Sequence, residues 1–191
     1  MRESGRRRLI ATAPPILSDR LELVSVSPAV LEALFAGETA TASRLLGAEV
    51  PPGWPPDGPA SFLGLRYRQM QGDPSLQPWL VRALALRETR EVVGTAGFHG
   101  PPGINGKHDP EAVELGYEVF EAFRGRGLAT EAVSALMSWA QSEHGVRRFI
   151  LSIAPGNAPS LAIAARLGFV QTGEQWDDED GLELVFEFAV T

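Results

Sequence analysis

The stretch V-E-L-G-Y-E-V-F-E-A-F-R-G-R-G-L-A-T-E-A-V-S-A-L-M-S-W, Val113 to Trp139, decides the fold. It reads as a strand over Glu114 to Phe120, a glycine-rich basic turn, and an amphipathic helix. The helix is marked by Ala129, Ala132, Val133, Leu136, Met137 and Ala140, one apolar stripe at 3.6-residue spacing. The turn, Arg124-Gly125-Arg126-Gly127-Leu128-Ala129, sets several backbone N–H groups at the positive end of that helix, which suits a pyrophosphate. Two glycines let the backbone come close to a ligand, and two arginines can add charge-assisted hydrogen bonds. Thr130 and Glu131 fall in the first helical turn, where Thr130 either reaches a phosphate oxygen or simply starts the helix.

Spacing separates the known phosphate cradles. The pattern G-x-x-x-x-G-K-S/T fails, since no Lys-Ser or Lys-Thr follows the glycines. The dinucleotide pattern G-x-G-x-x-G is met only loosely, with Thr130 at the third glycine. The next strand, about Val146 to Ile153, ends in Ala154-Pro155-Gly156-Asn157 and not in the acidic residue that would contact a ribose. What fits is R-x-x-G-x-A at Arg124, Gly127 and Ala129. It resembles the Q/R-x-x-G-x-G/A signature of the GNAT superfamily of acetyl-CoA-dependent N-acetyltransferases. A second segment agrees: Asn157-Ala-Pro-Ser160-Leu-Ala-Ile-Ala164-Ala-Arg-Leu-Gly168-Phe169 is similar to that superfamily's N-x-x-S-x-x-x-A/Y-x-x-x-G-F. There Asn157 would cap a helix, Pro159 suits its first turn, and Gly168 would end it.

The rest of the chain suits this reading. A length of 191 residues fits one domain with a full core, and 44% apolar with 21% charged residues are ordinary globular values. The sequence contains no cysteine, which excludes disulfides, thiolate metal sites and a cysteine nucleophile. Its histidines, His99, His108 and His144, lack metal-ligand spacing, so no metal is expected. No apolar run reaches membrane-spanning length, and Leu9-Ile10-Ala11 is too short for a signal peptide. A soluble cytoplasmic protein with a disordered tail over residues 1–15 and a single domain over 16–191 is expected. The net charge of −7 argues against a nucleic-acid binder and is compatible with a cationic acceptor.

Leu17 to Val24 alternates like a first strand, and resembles the opening T-x-R-L-x-L of the RimJ/RimL-like branch. Helical spacing runs from about Pro28 to Leu46. Pro51 to Pro59 holds five of the fifteen prolines and reads as a loop anchored by Trp54. Ser61 to Gln71 is another helix, with Phe62, Leu65 and Tyr67 giving a mixed face. Leu80 to Leu86 and Val92 to Phe98 form a hairpin, followed by a turn-rich loop from Gly100 to Pro110. The closing strand pair is split at Asp177 to Gly181. A mixed α/β fold follows, with helices on both faces of the sheet. The resemblance, covering about residues 16 to 190, implies a mostly antiparallel central sheet with one splayed strand pair.

The resemblance also implies chemistry. The strand before the cradle would splay from its neighbour, and the pantetheine arm would pair with its backbone, placing the thioester near Tyr117 and the pantetheine amides near Val119. Backbone N–H groups would polarise the thioester carbonyl. Arg124, Gly125, Arg126, Gly127, Leu128, Ala129, Thr130 and Asn157 complete the expected cofactor contacts. Many members use a tyrosine on the second motif's helix as acid, but Ala164, Ala165, Arg166 and Leu167 stand there in this chain. Ser160, which the RimJ/RimL-like branch places near the thiol, is the candidate acid. Glu114 and Glu179 are candidate bases, directly or through a water, with His99 a third. The expected activity is direct transfer of acetyl from acetyl-CoA to a primary amine: a protein N-terminus, an amino acid or a small amine. Transfer of a larger acyl group such as succinyl, a non-catalytic acyl-CoA sensor or scaffold, and a homodimer all stay open.

Overall fold

Strand β3 (Val81–Leu86), V-R-A-L-A-L, is buried along nearly its whole length and feeds two cores at once. Val81, Ala83 and Ala85 join the cluster built with helices α1 (Pro28–Phe35), α2 (Thr39–Leu46) and α3 (Phe62–Gly72). Leu84 joins the cluster built with α4 (Leu128–His144) and α5 (Ala158–Arg166). Side chains alternate across a strand, so the two clusters lie on opposite faces and the sheet is the middle layer. The computed structural model describes residues 13–178 and 181–190. Residues 1–12 of the expected tail, and Glu179, lie outside them.

The sheet runs β1 (Ile16–Leu17), β2 (Leu21–Ser25), β3, β4 (Val92–Phe98), β5 (Ala112–Val119), β6 (Arg148–Ile153), β8 (Gly181–Ala189), β7 (Val170–Asp177). Every neighbouring pair is antiparallel except β5 and β6. That pair is joined by the crossover through α4, as a parallel connection requires.

Local chemistry explains where the elements depart from the sequence reading. The strand expected over Leu17 to Val24 is two short strands, because Ser18 to Arg20 turns the chain: the Ser18 hydroxyl and amide both donate to the Leu21 carbonyl. The helical span expected from Pro28 to Leu46 is two helices broken at Gly37, whose φ of 73° only glycine adopts readily. The Glu38 amide donates back to the Ala33 carbonyl at 2.8 Å, closing the first helix before the second begins. On α3 the inward residues are Leu63, Gly64 and Met70, while Phe62 and Leu65 face outward. The apolar stripe of α4 is buried as its spacing predicts, at Ala132, Val133, Leu136 and Ala140.

Arg82, on the α4 face of β3, is fully buried. Its guanidinium donates to the carbonyls of Pro14, Leu23 and Pro78 at 3.0–3.2 Å and lies 5.0 Å from the ring centroid of Trp139 on α4. Burial, with no carboxylate partner among the described residues, pushes its pKa down to about 10. Trp79, Phe98 and His144 close the aromatic cluster around Trp139.

Candidate active site

The parallel pairing of β5 with β6 covers only Ala112 to Glu114, opposite Arg148 to Ile150. Beyond Glu114 the two strands diverge, so Leu115 to Val119 pair with β4 alone among the described residues. The Glu114 carbonyl and the Phe120 amide bond to β4, at His99 and Val93. By the two-residue period, Leu115, Tyr117 and Val119 turn their backbone groups into the gap. Tyr117 and Val119, the residues expected to meet the thioester and pantetheine, share this register. The Val119 carbonyl is already taken by Arg124 Nε at 2.9 Å, leaving its N–H on that edge.

The gap is a cavity of about 430 Å³ whose walls include His99, Glu114, Tyr117, Ser152, Asn157 and Ser160. At its inner end Glu114 is only 2% exposed, and both carboxylate oxygens accept hydrogen bonds. Ser152 Oγ donates to Oε1 at 2.6 Å, and the Gly106 amide donates to Oε2 at 2.7 Å. Gln175 Nε2 donates in turn to Ser152 Oγ at 3.0 Å and to Glu183 at 2.9 Å. The imidazole of His99 presents Nδ1 to Glu114 Oε2 at 3.5 Å. Its Nε2 points over Gly116, 3.6 Å from where a Cβ would sit there. Burial lowers the His99 pKa below the usual imidazole value; Glu114 and Asp177 oppose the shift and Arg66 adds to it. The shift favours the neutral ring, whose Nε2 offers a lone pair when Nδ1 carries the proton.

Across the gap, Asn157 accepts the Ser160 amide at 3.2 Å and so caps α5, with Pro159 in the first turn. Tyr117 Oη is buried with no hydrogen-bond partner of ordinary geometry. Burial raises the phenol's pKa, and the neighbouring Ser160 hydroxyl partly offsets the rise.

The cradle leads from this gap into α4. Gly125 and Gly127 hold φ of 73° and 77°, and a Cβ at Gly125 would meet nothing within 4 Å, so this stretch of backbone is open to a ligand. The first helical bond runs from the Glu131 amide to the Gly127 carbonyl, which leaves the N–H groups of Leu128, Ala129 and Thr130 without helical acceptors. A diphosphate suits such a cradle. Leu128 contributes only backbone, since its side chain is buried in the core. The two arginines brace the turn: Arg124 reaches back to Val119, and Arg126 lies on the Phe123 ring and donates to the Ala122 carbonyl. Glu131 ties the helix start to the β1–β2 turn through Ser18 and Arg20. Burial opposes its ionised form, but these partners outweigh it and hold the carboxyl below the usual range.

A second cavity, of about 270 Å³, adjoins the first at His99, Gly116 and Tyr117 and is walled by Phe62, Leu80, Phe98 and Arg66. Arg66, Ser152, Gln175 and Gly106 escaped the sequence reading. Only Ser152 carried a signal, a hydroxyl inside the apolar run R-F-I-L-S-I.

This architecture is a splayed parallel strand pair leading into a glycine cradle at a helix start. A GNAT acetyltransferase domain model matches residues 20–170, and the chain belongs to that family. It is 27% identical over 158 residues to the uncharacterized N-acetyltransferase YjdG of Bacillus subtilis, covering 80% of this chain and 88% of that one. It is 32% identical over 106 residues to the uncharacterized N-acetyltransferase p20 of Bacillus licheniformis, covering 55% and 57%. Escherichia coli ribosomal protein uS5-alanine N-acetyltransferase is 30% identical over 86 residues, 45% of this chain and 42% of that one. The chain spans about half the length of several curated relatives it matches. Among solved structures, a Bordetella pertussis chain described as a GnaT-family acetyltransferase superposes with a TM-score of 0.64 at 29% identity, over 93% of this chain and all (100%) of that one. RimL, a ribosomal L7/L12 N-acetyltransferase solved with coenzyme A, shares the fold at a TM-score of 0.62 and 22% identity, over 92% and 98%. Among the described residues no helix is long and apolar enough to cross a membrane.

Proposed function

We propose that the protein transfers an acetyl group from acetyl-CoA directly to a primary amine, with the acyl donor lying in the β5–β6 gap. The carrying observation is the conjunction, in one cavity, of an open strand edge, an imidazole facing a buried carboxylate and a helix-start serine. The diphosphate would rest on the N–H groups at residues 127–130, and the pantetheine arm along Val119 and Tyr117. The Tyr117 backbone would polarise the thioester carbonyl.

In this reading His99 Nε2 takes the proton from the acceptor nitrogen as that nitrogen bonds to the carbonyl carbon. Glu114, whose oxygens are engaged by Ser152 and Gly106, orients the ring through Nδ1 and stabilises its cationic form. As the carbon–sulfur bond breaks, the Ser160 hydroxyl gives its proton to the thiolate and is reprotonated from solvent. Glu179 of the β7–β8 turn remains an alternative base. The acceptor class is that of the sequence reading: a protein N-terminus, an amino acid or a small amine.

The test is thiol release from acetyl-CoA by purified protein across amines, amino acids and N-terminal peptides. Turnover with at least one class is expected. Tight acetyl-CoA binding without thiol release from any acceptor would instead favour a sensor, and saturation only by succinyl-CoA a larger acyl donor.

A further inference from the structure

The acceptor's own chemistry can be narrowed from the second cavity. Its walls are mainly apolar, with Phe62, Leu80, Val81 and Phe98, and it meets the reaction gap at His99 and Tyr117. Its volume, about 270 Å³, lies just below the usual range for small-ligand pockets, so it suits a compact molecule and not a folded partner. One half-buried guanidinium stands in the wall. Arg66 Nη1 donates to Gln69 Oε1 at 3.0 Å, one turn along α3, and among the described residues it makes no ion pair with a carboxylate. Most of its hydrogen-bonding capacity, five N–H donors in a fixed fork, is thus left for a ligand. Glu118 lines the same cavity from the exposed strand edge.

Arg66 shares this cavity's wall with His99: burial lowers the Arg66 pKa, the Glu114 charge opposes that shift, and the Arg66 charge in turn works against a proton on His99. An anionic group held at Arg66 is therefore near the point where the acceptor nitrogen must lose its proton. In an α-amino acid the carboxylate carbon is two bonds from the nitrogen, which suits this proximity. A diamine or polyamine would bring a second cation toward Arg66 and be repelled. A zwitterion satisfies both Arg66 and Glu118.

We propose that the acceptor is a free α-amino acid with an apolar side chain, its carboxylate held by the fork of Arg66 and its side chain by Phe62, Leu80 and Phe98. This rests on the N-acetyl transfer reading and specifies the acceptor for the same site.

The experiment compares kcat/KM for matched acceptors, an apolar amino acid, its carboxamide and the corresponding decarboxylated amine, on wild type and on Arg66→Leu and Arg66→Lys. Wild type should prefer the free acid by about 10- to 100-fold, the span expected for hydrogen bonds to a charged group. Arg66→Leu should erase that preference, read as the ratio of kcat/KM for acid over carboxamide within the variant because loss of the Arg66 charge also acts on His99, with Arg66→Lys intermediate. Equal rates for acid and carboxamide on wild type would overturn the proposal, as would an equal loss on both acceptors in a folded variant. Turnover of peptides beginning in an acidic residue, with free amino acids inert, would overturn it too and assign Arg66 to a peptide side chain. Calorimetry of the same amino acid against coenzyme A-loaded protein separates this from the transfer reading. Arg66-dependent binding without thiol release supports the carboxylate site and sinks only the chemistry; no binding sinks the carboxylate site itself.

Discussion

His99 and Glu114 are joined twice across the β4–β5 pair. The His99 amide donates to the Glu114 carbonyl at 2.9 Å, and the His99 Nδ1 faces Glu114 Oε2 at 3.5 Å. The first contact fixes the register that the second needs. A one-residue slip of β5 would turn Glu114 to the other side of the sheet and leave the imidazole without its carboxylate.

If His99 is the base, His99→Ala should lower kcat by about 10²- to 10⁴-fold with little change in the KM for acetyl-CoA. The pH profile carries the sign. Burial lowers the pKa from 6.5, with Glu114, Arg66 and Asp177 as the charged neighbours, so wild-type kcat/KM should hold through neutrality and fall only on acidification below that value. The unfolded imidazole takes up its proton first, so stability should decline over the same window. An acid limb that persists unchanged in the residual activity of His99→Ala would remove His99 from the reaction.

Glu114→Gln should destabilise by about 1–3 kcal/mol, because an amide nitrogen cannot accept from Gly106 or Ser152 and one buried donor is orphaned. Denaturant unfolding measures this, while steady-state kinetics should show a loss in kcat that disappears when Glu114→Gln is made in the His99→Ala background.

Ser160 and Asn157 can be separated. The capping bond uses the Ser160 backbone amide, so Ser160→Ala should leave the melting temperature nearly unmoved while lowering kcat by about 10²-fold. Asn157→Ala should do the reverse in stability, at about 1 kcal/mol. Equal thermal losses in the two variants would mean that Ser160 is only a structural residue.

Two carboxyls should make the fold acid-sensitive. Glu131 is held below 4.5 by Ser18 and Arg20 against the opposing effect of burial, and Glu187 by Lys107 first, then Thr172 and Arg148 against burial. A depressed carboxyl contributes stability that is present above its unfolded pKa and lost as pH falls through the folded one. Melting temperature should therefore drop from about pH 4.5 downward, and Glu131→Gln with Glu187→Gln should flatten that slope.

Gly127→Val should weaken acetyl-CoA binding by about 10-fold or more, since a left-handed φ costs an L-residue roughly 1–2 kcal/mol and the turn must rearrange to relieve it. Unchanged affinity by equilibrium titration would move the diphosphate elsewhere.

The sequence makes some features of this site readable and hides others. Gly125, Gly127 and Asn157 are legible because their roles are local: a positive φ and a helix cap are written in the residues that adopt them. The α4 stripe is legible for the same reason, through its period. Gly37 is harder to recognise as a break, because an isolated glycine within a helical pattern is tolerated at a cost of only about 1 kcal/mol. Arg66, Ser152 and Gln175 reach the site only through tertiary packing, from α3, β6 and β7, and nothing in their neighbours' spacing announces it.

The arginine buried beneath Trp139 has a consequence for ligand affinity at a distance. Trp139 lies eleven positions beyond Leu128, about 16 Å up the same rigid rod. Arg82 is thus one of the contacts that set where α4 lies, and its removal should be felt at the helix start as well as in the core. A substitution at Arg82, buried in the core, would then present itself as a weaker grip on whatever anion the start of α4 receives.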